Sequence, residues 1–251
     1  MTATTTSPRA AAGWAAGGYL AVFALAIFAN FLALAPVRQP GDPGGTAAAL
    51  RESETAFRLG AVGFLGIFVI DVVIAWGLWV LFRPVHRDLS LLAAWLRLTY
   101  AVVLGAALAF LYAALWLSAT PGAFGDGHDE AILLALQTFD FTWVAGLAAF
   151  GGHLVVVGVL LLKANGPRWI AWFLLAAGAA YVVDTVAHLV LANYEASADL
   201  LLAVVAVPSI VGEMSFAVWL LLVATGRRTP PEADVAAHEP APTPHAAAGS
   251  R

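Results

Sequence analysis

Six long stretches of the chain are almost wholly apolar, and each is long enough to cross a bilayer as a helix. A transmembrane helix needs about 20 mostly apolar residues. The hydrophobic positions surround each stretch and do not follow one face, a pattern typical of helices in lipid or inside a bundle. The six predicted spans are residues 14–35, 59–82, 91–117, 141–162, 169–191 and 200–224.

The pattern predicts an all-α polytopic integral membrane protein with six transmembrane helices in one bundle, formed by residues 13–226. Residues 1–12 are a predicted N-terminal tail. Residues 227–251 are rich in Pro and Ala and have no apolar period, so they are predicted to be a disordered tail. Between spans, residues 46–57 have helical spacing. Asp129 and Glu130 suit the start of another short helix, lying at the interface before the fourth span.

The positive charges outside the spans predict that both termini are cytoplasmic. Lys and Arg concentrate in the cytoplasmic loops of membrane proteins. If the N-terminus is inside, seven such residues lie inside and three lie outside, all three in the first loop. The predicted location is therefore the cell membrane, with the chain crossing it several times.

Composition supports a membrane protein and excludes several classes of function. Hydrophobic residues make up 61% of the chain and charged residues 11%, against about 25% charged in a soluble domain. The absence of Cys excludes disulfides, thiolate metal sites and cysteine nucleophiles. A net charge of -4 gives no support for nucleic-acid binding. The lipid bilayer is the expected partner, and the sequence indicates no particular protein partner or cofactor.

The most informative residues are ionisable side chains inside the predicted spans. A charge at mid-bilayer costs at least about 2.5–3.5 kcal/mol, so such groups are expected to face the bundle interior and to have partners. The six residues are Asp71, Arg97, His153, Asp184, His188 and Glu213.

The six residues are predicted to form one polar cluster, and their depths follow from about 1.5 Å per residue counted from the outer end of each span. Asp71, His153 and Glu213 fall near 18–20 Å, close to the midplane. Asp184 and His188 fall nearer the outer end, at about 10 and about 4 Å. They are spaced i, i+4, so they face the same side of the fifth span. Arg97 falls roughly 10 Å in depth from Asp71 and Glu213, so a pair with either acid requires a register shift or water. Otherwise Arg97 extends toward cytoplasmic water.

Three interpretations of this cluster stay open. Chains of Asp, Glu and His are typical of proton relays and solute sites, so the chain is predicted to bind or move a small solute or a proton. Alternatively, Asp71, His153 and Glu213 hold a metal ion in an intramembrane hydrolase. Or the cluster only fixes helix register, in a membrane partner or regulator without catalytic activity.

Short motifs along the chain resemble a bacterial membrane family known as domain of unknown function 4386. The matching stretches are ESETAFRLG (52–60), LFRPV (81–85), LLAAWLRL (91–98), GHL (152–154), YVVD (181–184), NY (193–194) and GEMS (212–215). The resemblance covers about residues 14–226. It implies an integral membrane protein with several spans, but no activity and no role for any residue.

Overall fold

The computed structural model describes residues 6–232, and within them the chain is almost entirely helical. Helix α1 continues beyond its end as a π-helix, Phe28–Leu34. The predicted tail 227–251 lies outside the described residues from position 233 onward. The helices are α1 (Pro8–Ile27), α2 (Pro43–Glu52), α3 (Glu54–Phe82), α4 (Arg87–Ala119), α5 (His128–Lys163), α6 (Arg168–Val190) and α7 (Ala198–Ala224).

All of these helices except α2 are long and apolar enough to cross a membrane. The prediction of six helices able to span a membrane is therefore confirmed, as expected for a multi-pass membrane protein. Most helices are longer than the apolar stretches predicted from the sequence. Hydropathy detects only the apolar part of a helix, whereas the helix continues into polar residues at its ends. The largest difference is in α5, which starts at His128 and runs without a break through the residues expected to form a separate interfacial helix.

Local capping explains where several helices begin. The Ser7 side chain accepts a hydrogen bond from the Ala10 amide, and Pro8 occupies the first turn, so α1 starts before the predicted boundary at residue 13. Asp42 caps α2 in the same way through the Gly45 amide at 2.8 Å. The short α2 is separated from α3 by Ser53, so the predicted helix 46–57 is divided at that residue.

The six long helices pack as a closed ring. Each packs against the next along the chain, in the order α1, α3, α4, α5, α6 and α7, and α7 packs against α1. The first residue of α1 and the last residue of α7 lie at the same end of the ring, which we call the termini end. The other end carries α2, which lies mainly against α5, and is called the α2 end.

Glycine allows the closest contact in the ring, between α5 and α6. A Cβ atom on Gly178 would overlap the backbone oxygen of Gly151, and one on Gly158 would lie 3.0 Å from the Ala171 oxygen. Small residues commonly let membrane helices approach this closely. The Gly151–Gly178 contact lies within one helical turn of His153 on α5 and of Tyr181 on α6.

Candidate functional site

The Arg97 guanidinium lies at the centre of a buried polar group in the ring. Its Nε and Nη2 atoms donate to Oδ1 of Asp71 at 2.9 and 2.6 Å. Its Nη1 donates to the Tyr19 hydroxyl at 2.8 Å and contacts Nε2 of His153 at 3.2 Å. Arg97 and Asp71 are each only 1% exposed. The two opposite charges therefore neutralise each other away from lipid and water.

The partners of His153 fix the roles of its two ring nitrogens. Nδ1 lies 2.9 Å from the Ala93 carbonyl oxygen, which only accepts hydrogen bonds, so Nδ1 carries the proton. Nε2 of the neutral ring then accepts from the Arg97 guanidinium. Both nitrogens are engaged, and the side chain is fully buried. His153 is thus a fixed acceptor for Arg97.

The direct pair between Arg97 and Asp71 contradicts the expected 10 Å separation in depth. The two residues lie on the helices of one hairpin, at nearly equal distances from its turn. Asp71 is 11 residues before the end of α3 at Phe82 (82 − 71), and Arg97 is 10 residues after the start of α4 at Arg87 (97 − 87). At 1.5 Å per residue these distances are about 16 and 15 Å. The depth estimate was wrong because it was counted from the outer ends of the two spans, where α3 extends five residues beyond its predicted boundary (59 − 54) and α4 only two (119 − 117), and not from the turn that the two helices share.

A cavity of about 180 Å³ lies beside this group, and all six long helices contribute to its wall. One wall residue from each helix is Tyr19 (α1), Asp71 (α3), Arg97 (α4), Phe150 (α5), Tyr181 (α6) and Glu213 (α7). An apolar cavity of about 150 Å³ stays dry and binds benzene. This cavity differs because its wall combines aromatic rings with charged groups.

Acidic oxygens on the cavity wall lack a hydrogen-bond partner among the described residues at two places, one oxygen of Asp71 and the carboxyl group of Glu213. The Asp71 Oδ2 atom is buried and accepts no hydrogen bond. Glu213 is partly buried, and its carboxyl group makes no hydrogen bond or ion pair within residues 6–232, although it lies within electrostatic range of Arg97. Buried polar groups are almost always hydrogen-bonded. These two groups therefore mark where water, a proton or a ligand is to be expected.

Asp184 and His188 belong to a second polar group, near the α2 end. As predicted, they face the same side of α6, with His188 Nδ1 3.7 Å from the Asp184 carboxylate. The Tyr194 hydroxyl donates to Asp184 at 2.8 Å, and its ring stacks on His188 with 3.6 Å between ring centroids. Neither Asp184 nor His188 lines the cavity beside Arg97. Four of the six predicted residues thus share the central site, and two do not.

The residues expected to hold a metal do not form a ligand set. Among residues 6–232, no group of three or more His, Asp and Glu side chains is placed to hold a metal ion. His153 uses its Nε2 lone pair for Arg97, while Asp71 faces the same guanidinium. Of Asp71, His153 and Glu213, only Glu213 is without a protein partner.

Sequence reasoning missed the aromatic residues of the site. Tyr19 accepts from Arg97, while Tyr100 accepts from Trp143 Nε1 at 3.1 Å, and all three aromatic residues line the cavity. Trp143 lies only two residues after the predicted start of the fourth span at residue 141, a position typical of interfacial tryptophans, and its place in the cavity wall was therefore not expected. The signal that could have found Tyr19 and Tyr100 is their hydroxyl group, which lies deep in an apolar helix.

Comparisons with known proteins place the chain in a family without an established function. The profile described as Domain of unknown function (DUF4386) matches residues 14–224, so the chain belongs to this family. It is also similar to a protein of Archaeoglobus fulgidus described only as an uncharacterized protein. The two are 26% identical over 162 residues, which cover 64% of this chain and 81% of the relative. No solved structure matches the chain.

Proposed function

We propose that this protein binds a small solute or a proton in the central cavity, with Glu213 as the group that gains and loses charge. The observation that carries the proposal is the Glu213 carboxyl group, which has no hydrogen-bond partner among residues 6–232 and lies on the wall of a cavity lined by all six long apolar helices. Intramembrane acids of this kind typically belong to ion or solute pathways.

The other charged groups of the cavity support this role by being fixed. Arg97 uses four of its five N–H groups on Asp71, Tyr19 and His153. Because these partners hold the guanidinium from three helices, Arg97 and Asp71 act as a permanent, neutral part of the wall. Glu213 is then the group that can gain or lose a proton without breaking an ion pair.

The proposed setting is the cell membrane, with both termini in the cytoplasm. Among residues 6–232, seven Lys and Arg residues lie at the termini end and three lie at the α2 end outside the spans. None of the seven forms an ion pair within the described part of the chain, whereas Arg38, Arg51 and Arg58 each pair with an acid. An excess of Lys and Arg residues is typical of the cytoplasmic side of a membrane protein, so the termini end is proposed to face the cytoplasm.

Infrared difference spectroscopy of the full chain in lipid tests whether Glu213 exchanges a proton. A pH step is expected to change a carboxyl C=O stretching band in the wild type. The band should be missing in Glu213→Gln and retained in Glu195→Gln, where an exposed acid at the α2 end is neutralised in the same way. Identical difference spectra for wild type and Glu213→Gln refute the proposal and leave the central group a purely structural one.

A further inference from the structure

The charges and aromatic rings of the central cavity point to a specific class of ligand. We propose that the cavity binds a small organic cation, a protonated amine or a quaternary ammonium group, held by the Glu213 carboxylate and by aromatic side chains. This inference rests on the proposed function and names the ligand class of the same site.

The charge balance of the cavity favours a cation. Arg97 and Asp71 neutralise each other through direct hydrogen bonds. An ionised Glu213 therefore leaves one unbalanced negative charge on the wall. The unpaired Oδ2 of Asp71 adds a second acceptor. A bound cation supplies the missing positive charge, whereas an anion would meet two carboxylates and a guanidinium that is already occupied.

The aromatic side chains favour an organic cation over a metal cation. Six aromatic residues line the cavity: Tyr19, Phe23, Tyr100, Trp143, Phe150 and Tyr181. Aromatic faces attract weakly hydrated cations, and cages of such rings recognise quaternary ammonium groups. The site already contains cation–π contacts, since the Arg97 guanidinium carbon lies 4.6 Å from the Tyr19 ring centroid and 5.2 Å from that of Phe150. A small metal cation prefers several oxygen ligands in a defined geometry.

The volume of the cavity limits the size of the ligand. At about 180 Å³ it is slightly larger than the cavity of about 150 Å³ that accepts benzene. Choline, with a trimethylammonium group and a short hydroxyethyl arm, is of comparable size. Neohexyl alcohol has the same shape, but a carbon atom replaces the nitrogen and removes the charge. The two compounds therefore separate recognition of charge from recognition of shape.

The cavity reaches the lipid-facing surface between α1 and α7. Two of its wall residues, Phe23 on α1 and Ile210 on α7, are 38% and 52% exposed. No residue from Ala198 to Pro208 is buried, so the first half of α7 packs loosely on its neighbours. An organic cation with apolar substituents is able to approach through this gap from the bilayer.

Calorimetric titration of the full chain in lipid nanodiscs tests the inference with choline and neohexyl alcohol. Choline is expected to bind saturably and at least about tenfold more tightly than neohexyl alcohol, because only choline carries the charge. Glu213→Gln should weaken choline binding by a similar factor, and Glu195→Gln should leave it unchanged. Tyr181→Leu should weaken it several-fold, whereas Tyr112→Leu, at a 70% exposed tyrosine outside the cavity, should not.

The outcomes separate this inference from the proposed function. Equal affinity for the two compounds, or no choline binding by the wild type, overturns the assignment to organic cations. If the infrared band of Glu213 still responds to pH in that case, the proposed proton or solute site stands without this ligand class. If that response is also missing, both proposals fail. Circular dichroism of each variant confirms that it is folded.

Discussion

Replacing Asp71 by Leu isolates the role of the buried ion pair. The substitution removes the carboxylate that accepts two hydrogen bonds from Arg97. The guanidinium, which is only 1% exposed, then has no directly bonded counter-charge. Breaking a buried pair in this way destabilises proteins by about 3–5 kcal/mol. Coulomb's law gives a similar figure, since unit charges about 4 Å apart interact by about 4 kcal/mol at an effective dielectric constant of about 20.

The remaining contacts of Arg97 place the expected loss at the lower end of that range. The guanidinium keeps Tyr19 and His153 as acceptors, and it keeps two aromatic faces near its central carbon. Such faces contribute roughly 0.5–2 kcal/mol to holding a cation. We therefore expect Asp71→Leu to lower the free energy of unfolding by about 3 kcal/mol.

Titration with sodium dodecyl sulfate in mixed micelles, followed by circular dichroism, measures this difference. The matched control is the double variant Asp71→Leu with Arg97→Met, in which both charges are gone. Replacing a buried pair by apolar residues is often neutral or stabilising, so the double variant should recover most of the loss. A single variant as stable as the wild type, or a double variant that loses more than the single one, refutes the reasoning.

Two further predictions concern the packing and the orientation of the bundle. Gly178→Ala should lower the free energy of unfolding by about 1–3 kcal/mol, because the added methyl group overlaps the Gly151 backbone in the α5–α6 contact. The same detergent titration measures this loss. An unchanged midpoint of unfolding contradicts the close contact. The chain has no Cys, so single substitutions report accessibility directly. In intact cells, a membrane-impermeant maleimide should label Ala123→Cys and not Thr225→Cys; labelling of only the second variant reverses the proposed orientation.

The number of spans was predictable because it depends on hydropathy alone, whereas the arrangement of the site depends on helix ends. The apolar windows found all six helices, yet they missed the polar turns that begin α4 and α5. Those turns determine the distance of Arg97 from the loop before α4 and the distance of Trp143 from the loop before α5. Counting from the hairpin turn at residues 83–86 would have aligned Arg97 with Asp71. The depths counted from the sequence placed Asp184 and His188 nearer the outer end than the midplane residues, in agreement with their separation from the cavity. Their contact with Tyr194 was not predictable, because it depends on Tyr194 folding back from the α6–α7 connection.

The closed ring also sets an order for the assembly of the site during synthesis. Because domains generally form from the N-terminus onward as the chain emerges, the α3–α4 hairpin enters the membrane with Arg97 and Asp71 already at the same level. The arginine therefore meets its counter-charge before His153 on α5 has been made, and its insertion is less unfavourable than that of a lone cation. Glu213 is on the last helix, and only the arrival of that helix against α1 completes the ring. A nascent chain that stops before α7 thus holds a neutral pair but no acidic cavity, and gains the site only when synthesis of the span is finished.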